Sequence, residues 1–296
     1  LNDSESNAFA KVVDGLLSSE HYGERWARHW LDVARYSDGL GGFGDNKALP
    51  DAWRYRDWVV NALNTDMPYD EFVARQIAGD VLEKDPDPIA TGFFVVCPSY
   101  TSDGGDPEAQ AQAEAETLSD RVDTFSRAFL GLTAACARCH DHKFDPITTQ
   151  DYYAIAGIFK NTRNGEHPLV PQAVVDAFTK GQEAIRDQNN AVNRFLDDET
   201  KRLKVKRNEV EKLLEEGPKK KVVEMRAELE RLKKAAPKKY EFAHVLQDAG
   251  KNDMHVALRG DLRKKGELVP RRFIQILAGE TPPLYTHGSG GSELDE

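Results

Sequence analysis

Cysteine and methionine are scarce in this chain, with three of each among 296 residues. Three thiols are too few for a disulfide framework, so the fold must rest on an apolar core. Long apolar runs are missing too: no stretch approaches the ~18 residues that a membrane-spanning helix needs, and no span is expected. Leu1-Asn2-Asp3-Ser4-Glu5 has neither an initiator Met nor a basic region ahead of an apolar one, which leads us to expect a mature or excised fragment. An excess of basic charge is lacking, since the formal net charge is −10, and this argues against general affinity for nucleic acid. The glycine-rich stretch 38–51 contains no G-x-x-x-x-G-K-[ST] pattern, so it reads as a flexible surface loop and not a phosphate cradle. Neither G-x-S-x-G nor H-E-x-x-H occurs anywhere. What is present, 40% hydrophobic residues and 9% aromatics, suffices for at least one large core and one or two domains.

The chain is organised around Cys136-Ala137-Arg138-Cys139-His140, followed at once by Asp141-His142-Lys143-Phe144-Asp145-Pro146. C-x-x-C-H is the attachment sequence of a c-type haem, with both thiols bonded to the porphyrin and the histidine on the iron. One covalent haem c is therefore expected on Cys136 and Cys139, with His140 as the proximal iron ligand. C-x-x-C also builds zinc half-sites and redox disulfides. A zinc site needs two further ligands, and Cys97 is the only other thiol. Asp141, Asp145 and Asp151 lie close in sequence, and paired carboxylates are glycosidase machinery, but turn aspartates more often cap helices.

The apolar spacing predicts a mainly α-helical chain. Ser4 or Ser6 caps a first helix with Val12, Val13, Leu16 and Leu17 on one face, ended by Ser18-Ser19. Residues 22–36 form a second helix, with Trp26, Trp30, Val33 and Ser37 on a stripe that His29 adjoins. Trp53, Trp58, Val59 and Leu63 mark a third; Pro68 opens a fourth with Phe72, Val73 and Ile77 inward. The run 89–97 is a strand or a buried turn of helix. From Pro107, Leu118, Val122, Phe125, Phe129 and Leu132 describe one long amphipathic helix that delivers Cys136 at its C-terminal end. Thr148-x-x-Asp151 resembles a capping box for the next helix.

Beyond this body the composition changes: Glu183 to Lys239 holds 17 basic and 12 acidic residues. Val192, Leu196, Leu203, Val210 and Leu214 keep a loose heptad that Gly217-Pro218 breaks, and Val222, Met225, Leu229 and Leu232 return. The interspersed acids favour a solvated helical face over an anion-binding one. Residues 240–246 and 254–258 alternate like strands around a Gly-Lys-Asn-Asp turn and read as a β-hairpin. The expected architecture is an irregular helical haem-binding body over 1–180, a projecting antiparallel helical hairpin over 181–236, and a small β-containing unit with a flexible tail over 237–296.

Four segments carry a family resemblance: Glu24 to Asp32, Trp53 to Val59, Pro68 to Phe72, and Gly131 to Ile147 with its motif. They resemble the planctomycete cytochrome-type domain, domain of unknown function 1549, the central module of large exported proteins; Cys97 departs from it. The resemblance implies haem binding without an established reaction. It also places His29 among the family's recurring segments, which makes His29 the candidate distal iron ligand. His142 is tied to the same side of the ring as His140, and Met67, Met225 and Met254 are the only methionines. The expectation is an extracytoplasmic c-type haem protein acting as an electron-transfer or redox module, with a redox partner protein or adjoining cytochrome domain. The alternative is a structural or carbohydrate-binding module of a large assembly, with polysaccharide as partner and haem as a fold staple.

Overall fold

The structure, a computed structural model, describes residues 5–40, 48–82, 84–102, 104–279 and 281–285. The chain is mainly α-helical. In order it forms α1 (Ala8–Leu17), α2 (His21–Val33), α3 (Trp53–Asn64), α4 (Tyr69–Ala78), α5 (Pro107–Phe125), α6 (Thr149–Lys160), β1 (Thr162–Pro168), α7 (Gln172–Leu203), α8 (Val210–Leu213), α9 (Glu216–Ala235), β2 (Phe242–Asp248), β3 (Met254–Ala257), β4 (Lys265–Val269) and α10 (Gln275–Ala278). Residues 1–167 and 243–296 constitute one unit, and 168–242 a second. The division falls at 167/168 and 242/243, and the C-terminal residues share a unit with the helical body. No described helix is long and apolar enough to cross a membrane.

In the first unit, α2 and α3 cross at Gly23, where an added Cβ would lie 2.4 Å from the Val60 carbonyl oxygen. Asn64 fixes this crossing, its Oδ1 accepting from the Gly23 N–H at 2.7 Å and its Nδ2 donating to the Glu20 carbonyl at 2.9 Å. The core beyond is aromatic, with the Trp30 ring against Phe72, Phe93 and Phe129, and Phe94 against Phe159. Burying each such ring contributes about 2 kcal/mol or more. The polar handles are satisfied inside it: Trp30 Nε1 and Tyr55 Oη both donate to Gln76 Oε1, at 2.8 and 2.6 Å. The run 89–97 is a buried 3-10 turn at Ala90–Phe94.

Several expected elements differ. Ser4 lies outside the described residues; Asn7 precedes α1 without a side-chain cap bond, and no α1 residue is buried. Phe9, Val12, Leu16 and Leu17 are exposed because no described element covers that face. In α2 the buried residues are Gly23 and Ala27, while Trp26 and Val33 are exposed. Gly23 faces inward because the Val60 carbonyl of α3 leaves no room for a side chain there, while Trp30 supplies the aromatic contact further along the same helix. The long helix from Pro107 stops at Phe125, passes through a π-helical turn at Ser126–Leu130, and ends at Gly131, whose φ of +66° favours glycine.

Strands β2 and β3 do not pair with each other. β2 pairs with β1, while β3 pairs antiparallel with β4 in the register Met254 to Val269. The reason is Asn161 at the end of α6, whose carbonyl accepts the Ala249 N–H at 2.6 Å and whose side chain binds Asn252 N and O at 2.8 and 2.9 Å. The Gly-Lys-Asn-Asp segment is thereby held to α6 and cannot close a hairpin.

The second unit is the long helix α7 followed by α8 and α9, around a small core of Val192, Leu196, Val210 and Val222. α7 starts at Gln172, earlier than the composition change. It ends where Lys204 adopts a φ of +53°, so the break falls there, and Gly217-Pro218 lies in the first turn of α9. Gln188 Nε2 reaches across to the Met225 carbonyl at 2.9 Å.

Candidate functional site

After Gly131 the chain turns into a short 3-10 segment, Ala134–Arg138. Cys136 thus stands on a turn of its own and not at the end of the preceding helix. Ala134 and Ala137 are buried and pin the turn to the core, which leaves Cys136 exposed on its outer side. Arg138 fastens it on two sides, donating to Glu116 on α5 at 3.1 Å, while its carbonyl accepts from Tyr153 Oη on α6 at 3.2 Å. Cys139 follows, also exposed, and the two thiols are not joined. A Cβ on Gly260 would lie 2.6 Å from Cys139 Sγ, so a residue 121 positions later has to be glycine for the sulfur to keep its place. Gly260 also has a φ of +76°.

His140 is exposed, and its Nδ1 is 2.8 Å from the Asp141 carbonyl oxygen. A carbonyl only accepts, so Nδ1 carries the proton and Nε2 keeps a lone pair. This is the tautomer that a metal-ligating imidazole takes when a backbone carbonyl orients it. His142 is the reverse case. Its side chain is 10% exposed, and its Nδ1 accepts the Asp145 N–H at 2.8 Å, so its proton sits on Nε2, which faces Thr133 Oγ1 at 3.5 Å. The Asp145 carboxylate at 3.3 Å from Nδ1 is therefore a neighbour and not a hydrogen-bond partner. His142 shapes the 141–147 turn, which its own N–H closes onto the Ile147 carbonyl at 2.9 Å.

Two of the three aspartates, Asp141 and Asp151, are structural. Asp141 Oδ1 accepts from Thr149 N and Oγ1 at 2.8 and 3.1 Å. Asp151 completes the capping box with Thr148, is 1% exposed, and accepts from Arg272 Nη1 at 2.5 Å and from Gln275 N at 3.0 Å. Burial pushes its carboxyl up, but the bonds from Arg272, Gln275 and Thr148 outweigh this and hold it below its ordinary value. A depressed, fully bonded carboxyl is the opposite of a glycosidase acid. Phe144 projects into solvent, 83% exposed, with Lys143 Nζ 5.0 Å from its ring centre.

A cleft of about 740 Å³ opens beside Cys139, lined by Thr149, Val256, Leu258, Arg259, Asp261 and Lys264. The Arg263 guanidinium holds the Asp261 carboxyl down at about 2, so it is ionised. The sequence reading missed this wall. The signal was the Arg259-Gly260-Asp261 turn, whose Gly is needed both for its backbone and for Cys139. His29 is not brought to the motif by any of its contacts. It is exposed, its Nε2 is 3.1 Å from Arg25 Nη1, and its ring packs 5.4 Å from Trp26, both on its own helix. Cys97 is fully buried and donates to the Phe94 carbonyl at 3.3 Å. Among the described residues no group of three or more His, Cys, Asp or Glu gathers as a metal centre.

A family model described as "Protein of unknown function (DUF1549)", PSCyt2, matches residues 1–164, which contain Cys136, Cys139 and His140. No curated protein and no solved structure matches the chain. With more than half of its length matched, the chain belongs to the DUF1549 family.

Proposed function

We propose that this chain is a c-type haem protein: haem c is bonded through Cys136 and Cys139, His140 Nε2 ligates the iron, and the protein serves as an extracytoplasmic electron-transfer module for a redox partner or adjoining cytochrome domain. The observation that carries the reading is the orientation of His140. Its Nδ1–H is spent on the Asp141 carbonyl at 2.8 Å, which presents a bare Nε2 lone pair beside two exposed, unjoined thiols. The wall next to Cys139 suits the group as well, since Val256 and Leu258 offer apolar contact while Arg259 offers a cation to its carboxylates. Bound haem supplies one-electron exchange at a potential set by axial ligation and burial. The chain's own part is to fix the thiols on one turn, to orient the imidazole through a backbone carbonyl, and to hold that turn between α5 and α6.

The test is production of the chain in a host that matures c-type cytochromes, with intact mass and visible spectrum recorded. A gain of one haem mass, lost when Cys136→Ser and Cys139→Ser are combined, is expected; bare polypeptide mass from such a host refutes the proposal. Because His29 is engaged on its own helix, the spin state of the haem protein should be the same in His29→Ala.

A further inference from the structure

Arg121, on the buried face of α5, is 5% exposed, yet among the described residues no carboxylate pairs with it. Its Nη1 donates to Thr162 Oγ1 at 3.3 Å and its Nη2 to Asn164 Oδ1 at 2.6 Å, both neutral acceptors, and its Nε has no partner. The ionisable side chain that bears on it is Cys97. Burial pushes that thiol up, so at neutral pH it stays protonated and supplies no counter-charge. A buried guanidinium without an anion is a steep cost that folded proteins seldom carry without return.

Arg121 lines a cavity of about 530 Å³ together with Ser99, Thr101, Ser102, Thr162 and Arg163. The acid in its wall, Glu114, is taken by Lys160 at 2.5 Å. Arg163 is exposed and has no acidic partner among the described residues. The cavity therefore combines one buried and one peripheral unpaired guanidinium with a hydroxyl-bearing wall. Its volume is that of a small-molecule site.

We propose that this cavity binds a small hydroxylated organic acid, its carboxylate taken by the guanidinium of Arg121 and its hydroxyls by the Ser99, Thr101 and Ser102 wall. Two of the five Arg121 N–H groups are spent on Thr162 and Asn164, which orient the planar group and leave further donors on the same nitrogens. Arg163 at the rim draws the anion in. The site is independent of the haem reading.

The experiment is isothermal titration of the full chain with sodium gluconate, against acetate, sorbitol and sodium chloride at matched ionic strength. Gluconate is expected to bind, acetate more weakly, and sorbitol and chloride not at all. Arg163→Gln, an exposed change that leaves the core intact, should weaken gluconate about 3-fold, and Arg121→Met should weaken it roughly 100-fold or more. Acetate binding as tightly as gluconate, no gluconate heat beyond the chloride control, or unchanged affinity in Arg163→Gln would each overturn the proposal. If Arg121→Met does not fold, the Arg163→Gln and acetate arms still decide it.

Discussion

Two residues outside the motif carry predictions of their own: Gly260, 121 positions beyond Cys139, and Asp151, at the start of the helix that follows the motif. Gly260 leaves room for the Cys139 sulfur, and its left-handed backbone penalises any side chain by about 1–2 kcal/mol before contact is counted. Gly260→Val should therefore lower haem incorporation to a small fraction of wild type while the helical signal persists; the haem-to-protein ratio of the purified chain measures it. Asp151 is the second. Its folded pKa lies below the ordinary 3.8, so its stabilisation is complete above that pH and is lost as the pH falls through the depressed value. Asp151→Asn should cost roughly 3 kcal/mol at neutral pH, because Arg272 is left buried without its anion. It should also flatten the acid limb of a stability profile below about pH 4, as read by urea melts. A parallel acid limb in the variant would mean that other carboxyls dominate.

Among the elements, the short turn at Ala134–Arg138, held between α5 and α6, carries the site, while the α2–α3 crossing sets the packing elsewhere in the first unit. The close approach at Gly23 predicts that Gly23→Ala, which would favour an isolated helix, here destabilises by about 1–3 kcal/mol through overpacking against Val60. Thermal denaturation checks the sign. How legible such features were depended on how local their causes are. C-x-x-C-H and the Thr148 capping box were readable because spacing alone defines them, and Pro107 marked the start of α5 for the same reason. The α1 stripe was legible as an apolar helix face, but its exposure was not, because periodicity does not report whether anything covers that face. Strand pairing was misread because Asn161, remote in sequence, decides where residues 249–252 go. Arg121 gave no signal, since one basic residue on an amphipathic helix looks solvated until its surroundings are known.

For the whole molecule, the two-unit division predicts a clean excision. The chain leaves the first unit through β1 and returns through β2, which are paired, and Leu169 N extends that pairing to the Glu241 carbonyl at 2.9 Å. Replacing residues 169–241 by a two-residue turn should leave the first unit's melting temperature within a few degrees of wild type and haem attachment intact. Loss of cooperative melting would show that the first unit requires the second. The same strand pair has a kinetic side. Gln247 and Glu166 meet across 81 residues, so the transition state for the first unit must close a long loop unless α7 and α9 have already drawn its ends together. Early pairing of those helices would shorten the effective loop, which predicts that the insert speeds folding of the body that carries it. Leu196→Ala, in the small core of the insert, should then slow refolding of the first unit while leaving its unfolding rate unchanged.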